Sequence, residues 1–209
     1  PSRLVGSEMC IRDRLETDSG VNYNPRGLLG DSALRRIVKP VSHYIRDWQH
    51  TYCSNGIASG HLSGVLHAIV GDEILEQEQI TLETITEYCS HYTLPSCHGK
   101  VNKHWSEASY LASDHVRHFA SDVLIMVPML LAFMVDVVQP LGVLQRHIEG
   151  LESLNNVLSY LICAGRMTEQ SMLELQSLIE KHMEFYAELY GDIVKPKFHH
   201  AGHIARDLF

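Results

Sequence analysis

A carboxylate, an indole and an imidazole stand within four positions at Asp47, Trp48 and His50, and those are parts from which a phosphate or divalent-cation site can be built. They follow an apolar run. Ile37, Val38, Val41, Tyr44 and Ile45 are β-branched or aromatic and Pro40 argues against helix, so residues 37–45 are predicted to be extended, a short strand. Asp47 at the C-terminal end of that strand would project past a sheet edge, where α/β proteins hold metals and substrates. Trp48 would wall that space, and His50 would orient the carboxylate or meet a phosphate. An aspartate that closes a strand and opens a turn has the same spacing.

Three other constellations carry chemistry-bearing side chains. Cys89, His91, Cys97 and His98 supply four ligands of the kind zinc takes, and the Leu94-Pro95 turn could fold them round one ion, though without the paired spacing of standard zinc modules. His199 and His203 are four apart on a predicted helix, as in metalloprotease helices. Position 200 is His rather than Glu, so hydrolysis is not expected there and a solvated or capping cluster is the default. Cys53 beside His50 suggests a thiol nucleophile, but no orienting residue or oxyanion donor accompanies it.

Helices dominate the elements that must position these groups. Leu62, Val65, Leu66 and Ile69 recur at helical spacing after the Asn55-Gly56 break, giving a helix that ends near Gly71. Thr81, Thr84 and Glu87 open a second, with Leu82, Ile85 and Tyr88 on one face and Leu94-Pro95 as its stop. Ser106 reads as an N-cap, with Glu107 in the first turn complementing the helix dipole. Helices are then predicted over 108–118, 119–138, 141–164 and 169–190, jointed at Pro140, Gly165-Arg166 and Gly191. In the last pair Leu151, Leu154, Leu158, Leu161 and Ile162 should face Leu173, Leu175, Leu178, Ile179, Met183 and Tyr186 as an antiparallel hairpin, ordinary core packing.

The fold class is mainly α: a helical bundle with a short extended segment near the N-terminus. Residues 15–56 read as loop plus strand and 57–209 as a helical domain, with a short helical turn expected over 32–36. Residues 1–14 are set aside, because GSEMCIRDR at positions 6–14 resembles a translated sequencing-adapter string, and sequence upstream is expected to be missing. At 209 residues the chain is long enough for one core of ordinary size.

Its net charge of −8 makes it a poor clamp for DNA phosphates, which need clustered Lys and Arg. Five scattered cysteines, Cys10, Cys53, Cys89, Cys97 and Cys163, fit a reducing compartment better than a disulfide framework. The longest apolar run, residues 123–135, is interrupted by Pro128 and falls short of the roughly 20 residues a membrane span needs, so no membrane partner is expected and a kinked core helix is.

The string DWQHTYCSNGI, preceded by LRRIVKPVSHYI, resembles the Asp-Trp-Met-His segment of transposase-like proteins related to the CACTA (En/Spm) DNA transposons, with Gln49 in place of Met. Downstream, LQSLIEKHMEFYAELYGDIVKPKFHHAGHI resembles the helical segment and Lys-Pro-Lys-Phe-His-His ending of the same proteins. The resemblance implies the C-terminal part of an RNase H-like α/β catalytic region with a helical insertion. Three acids there would hold two Mg²⁺ or Mn²⁺ ions about 4 Å apart for phosphodiester cleavage and strand transfer. On that reading Asp47 is the second acid, with His50 in the Asp-x-x-His element, and Glu107 the third, with Asp114 as runner-up. The first acid has no counterpart, since no strand precedes Ile37 and Asp31 sits in a turn-like Gly-Asp-Ser. The resemblance therefore implies a nuclear, DNA-binding parent and an inactive fragment. The rival expectation is a non-catalytic helical interaction module whose long hairpin faces a partner or a second copy.

Overall fold

In the computed structural model the described residues are 33, 47–94, 96, 105, 111–163, 168–191 and 196–208. Among them every regular element is a helix, as the mainly-α expectation requires. The predicted strand over 37–45, the turn over 32–36 apart from residue 33, Ser106 with Glu107, and Cys97 with His98 lie outside the described residues.

Eight α-helices are labelled in chain order: α1 Trp48–Tyr52, α2 Ile57–Gly71, α3 Glu73–Gln77, α4 Leu82–Ser90, α5 Ala120–Phe133, α6 Gln145–Cys163, α7 Glu169–Tyr190 and α8 Pro196–Leu208. α2 is the centre. Ile57, Leu62, Val65, Leu66 and Ile69 are buried, but so are Ala58, Ser59, Gly60, His61 and Ser63 on its other sides. The first half of α2 is thus covered all round, whereas His67 and Val70 near its end are exposed, and the helix touches α1, α3, α5 and α6. Its start is set by Asn55 at φ 48° and by Gly56, where a Cβ would fall 2.3 Å from the Thr51 carbonyl oxygen.

Local caps account for the short helices. Asp72 accepts from the amides of Ile74 and Leu75 and starts α3, which the apolar spacing does not predict. At α4 the Thr81 amide donates to Thr84 Oγ1 at 3.1 Å, and Leu82, Ile85 and Cys89 are buried while Tyr88 packs against the core edge. α4 stops at Ser90, four residues before Leu94, where the sequence predicts its stop.

Residues 111–118, predicted helical, are instead turns, bends and extended chain. Their bonds run to α2 and to local side chains rather than into a helical ladder: the Val116 amide donates to the Ser59 carbonyl at 3.1 Å, Ser63 Oγ donates to the Ser113 carbonyl at 2.9 Å, and the His115 amide donates to Ser113 Oγ at 3.3 Å. A segment whose bonds go outward in this way has no ladder left for a helix.

α5 contains Pro128 and runs on as a π-helical turn, Met134–Val138, and a 3₁₀ turn, Gln139–Leu141, ended by Gly142 at φ 73°. The continuous run Ala120–Leu141 is 22 residues, longer than the apolar count suggests, and by length and composition alone it could cross a membrane. In the bundle Val123, Met126, Val127, Leu130 and Phe133 are buried, as in a core helix.

α6 and α7 form the predicted antiparallel hairpin. Arg146 near the start of α6 pairs with Glu188 near the end of α7, and Tyr160 near the far end of α6 donates to the Ser171 carbonyl at 3.0 Å. Leu151, Leu154, Leu158, Leu161, Leu175 and Ile179 are buried in the core. Ile162 and Leu173 are not: they are 57% and 55% exposed, Ile162 in the last turn of α6 and Leu173 in the second turn of α7.

Candidate functional site

Asp47 is the N-cap of α1. Its Oδ1 accepts from the Gln49 amide at 2.9 Å and the His50 amide at 3.3 Å, and the His50 ring lies with Nδ1 3.1 Å from Oδ2. Slight burial pushes the carboxyl pKa up, but the His50 ring and the two amides outweigh it and hold the group below the usual carboxylate range. Both oxygens are thus engaged by the first turn of the helix they start. Trp48 is half-buried against the core, and Thr51 and Tyr52 are fully covered.

The residues expected to join Asp47 do not converge on it among the described positions. Glu107 lies outside them, and the carboxylate of Asp114 is 75% exposed and 2.7 Å from His115 Nδ1. No group of three or more His, Cys, Asp or Glu suited to a metal ion occurs among the described residues. A Mg²⁺ or Mn²⁺ pair needs several carboxylate oxygens meeting at one place, and the donor set described here, a single carboxylate already accepting three hydrogen bonds, does not fit it.

The sulfur candidates are separated from their histidines. Cys89 is buried inside the bundle and burial pushes its thiol up to about 12, whereas His91, two residues on, is exposed at the C-cap of α4. Cys53 is fully covered and its thiol is pushed up to about 12, by burial first and then by the Asp47 charge, with Lys197 opposing. The ring of His50 is exposed, so no thiolate–imidazole pair forms.

Two arrangements were not anticipated, and a third was visible in the sequence without its geometry. First, Lys197 Nζ, on the opening turn of α8, donates to the carbonyls of His50 at 3.0 Å, Ser54 at 2.5 Å and Asn55 at 3.2 Å. It caps the C-terminal end of α1, where a cation belongs. α1 and α8 pack together, so the Asp-Trp-x-His stretch and the Lys-Pro-Lys-Phe-His-His stretch meet across more than 140 positions of chain.

Second, α2 and α7 bury two imidazoles side by side. His61 Nδ1 is 3.1 Å from His182 Nε2, the rings are stacked at 18°, and the outward nitrogens, His61 Nε2 and His182 Nδ1, have no protein partner. Tyr186 and Tyr190 meet His61 edge to face. Their rings lie on Gly60 and Gly64 and wall a cavity of about 500 Å³ completed by Ser63, His67 and residues 111–114.

Third, His199 and His203 lie one turn apart on α8 with their Nε2 atoms 3.3 Å from each other. The sequence does display this pair; its geometry needed the helix. For Lys197 and His61 the only sequence signals are a lysine just after a helix-opening proline and a histidine on an apolar stripe.

Comparison with protein-family models, with curated proteins and with solved structures gives no match.

Proposed function

We propose that this chain is the helical part of a transposase-like protein whose parent cuts and joins DNA, and that the chain itself is a scaffold without catalytic activity. One observation supports this most: Lys197 ties together the two stretches that carry the resemblance, giving them a common structural purpose. Asp47 serves that purpose too, as the cap that starts the helix Lys197 finishes. A carboxylate committed to its own helix favours scaffolding over metal chemistry at this position.

The test is thermal unfolding with and without Mn²⁺ for the wild type and for Asp47→Asn, alongside nicking of supercoiled plasmid. Neither protein should gain stability from Mn²⁺, and neither should nick DNA. Mn²⁺ stabilisation present in the wild type and lost in Asp47→Asn would overturn the scaffold reading and restore Asp47 as a metal ligand. The transposase-like parentage is tested by expressing the whole reading frame that contains residues 15–209: Mn²⁺-dependent nicking supports it, and its absence counts against it.

A further inference from the structure

Imidazoles at positions i and i+4 of a helix project from one face. On α8 the rings of His199 and His203 stand at 82° with centroids 4.7 Å apart, and their Nε2 atoms converge to 3.3 Å. We propose that this pair is a chelating site for a borderline transition-metal dication, Zn²⁺, Ni²⁺ or Cu²⁺. The separation is the one such an ion requires: two Zn–N bonds of about 2.0–2.1 Å at the tetrahedral angle put their nitrogens about 3.3–3.4 Å apart. His199 is exposed and His203 half-buried, so an ion reaches the pair from solvent. His200, one position on, projects about 100° round the helix from His199 and is not part of the pair.

The metal-free arrangement explains what an ion must displace. An Arg206 N–H donates to His203 Nδ1 at 3.2 Å, which leaves the ring proton of His203 on Nε2, where it is shared with His199 Nε2. When a metal takes both Nε2 atoms, His203 stays neutral by giving up that proton and taking one on Nδ1. Arg206 then loses its acceptor and must swing aside, so its guanidinium opposes binding twice, by charge and by tautomer. Arg206→Gln would reverse this, since an amide oxygen can accept from Nδ1–H as outer partners of metal-bound histidines do. Nitrogen donors select Zn²⁺, Ni²⁺ or Cu²⁺ over Mg²⁺ and Mn²⁺, which sets this site apart from the oxygen-ligand chemistry considered at Asp47. The remaining coordination positions are open to water or to a donor from another molecule.

Untagged protein titrated with Zn²⁺ near neutral pH, followed by calorimetry, tests the site. His199→Ala and His203→Ala should each weaken the strongest binding event by about tenfold or more, Arg206→Gln should tighten it, and Mg²⁺ should give no heat. With 14 histidines in the chain, binding elsewhere is the competing outcome: wild-type affinity in either His→Ala variant, or weaker binding in Arg206→Gln, would overturn the assignment. Should an alanine variant fail to fold, by circular dichroism, the corresponding His→Gln variant replaces it with the same expected weakening.

Discussion

His61 and His182 share one hydrogen bond in the centre of the bundle, Nδ1 to Nε2 at 3.1 Å, and whichever ring donates, one N–H and one bare nitrogen are left without protein partners. Burial forces both rings to stay neutral, pushing His182 down to about 3 and His61 well below its ordinary 6.5, the latter also through His182 and His147. The phenols around them, Tyr52, Tyr186 and Tyr190, are neutral at these pH values, and burial raises each further.

Acid should therefore destabilise the protein early. The unfolded chain takes up these protons first, so the stability they confer is complete above pH 6.5 and drains away as pH falls toward 3. One unit below the unfolded value each ring withdraws about 1.4 kcal/mol, roughly 3 kcal/mol for the pair. Urea unfolding between pH 7 and 5 measures it. The double variant His61→Leu with His182→Leu should flatten the dependence while leaving neutral-pH stability close to wild type, since two buried rings that satisfy only each other are removed together. An unchanged slope would show that other groups cause the acid sensitivity.

Lys197 should be the side chain on which the junction of α1 and α8 depends most. Its ammonium is partly buried and bonded to the carbonyls of His50, Ser54 and Asn55. Lys197→Met keeps the stem but leaves those oxygens with solvent alone, costing about 1.5–3 kcal/mol by the usual worth of a charged hydrogen bond. Amide exchange over residues 51–56 should accelerate more than over α6, and the buried thiol of Cys53 should become easier to alkylate. Uniform acceleration across the bundle would mean that the lysine contributes no local hold.

Asp47 separates capping from ligation by a simple comparison. As an N-cap it should tolerate Asp47→Asn with little loss, because an amide oxygen accepts from the same Gln49 and His50 amides. Asp47→Ala should cost on the order of 1 kcal/mol. Thermal unfolding of the two variants gives the answer, and equal losses would show that the charge matters more than the cap.

What could be read from the letters follows from how far each bond reaches. α7 was legible because apolar residues recur at helical spacing up to Gly191, which ends it at φ 83°; the Thr168 cap that starts it shows only in the structure. Residues 111–118 were not, because Ser113 and Val116 bond to Ser63 and Ser59 about 50 positions away and no local pattern announces that. Asp47 was visible as a carboxylate before an aromatic, yet a capping aspartate and a metal ligand look alike until the amides that bind it are placed. The His61–His182 contact spans 121 positions and leaves only two imidazoles on apolar stripes as its trace.

Gly64 offers the sharpest check on how α7 lies against α2. A Cβ there would sit 2.3 Å from Tyr190 Cε1, and at Gly60 one would sit 2.7 Å from the Tyr186 hydroxyl. The Gly64 contact is with a ring that is itself held edge to face by His61 and Tyr186, so the ring has little room to retreat. Gly64→Ala should cost about 1–3 kcal/mol through this overpacking, against at most a small gain in helix propensity. Tyr190→Ala alone should also destabilise, since it removes a largely buried aromatic. Combined, the two changes should cost less than the sum of their separate effects, because Tyr190→Ala removes the ring the new methyl would strike and the methyl partly fills the space that ring leaves. Denaturant unfolding of the single and double variants measures the coupling, and strictly additive losses would place Tyr190 away from Gly64 in solution.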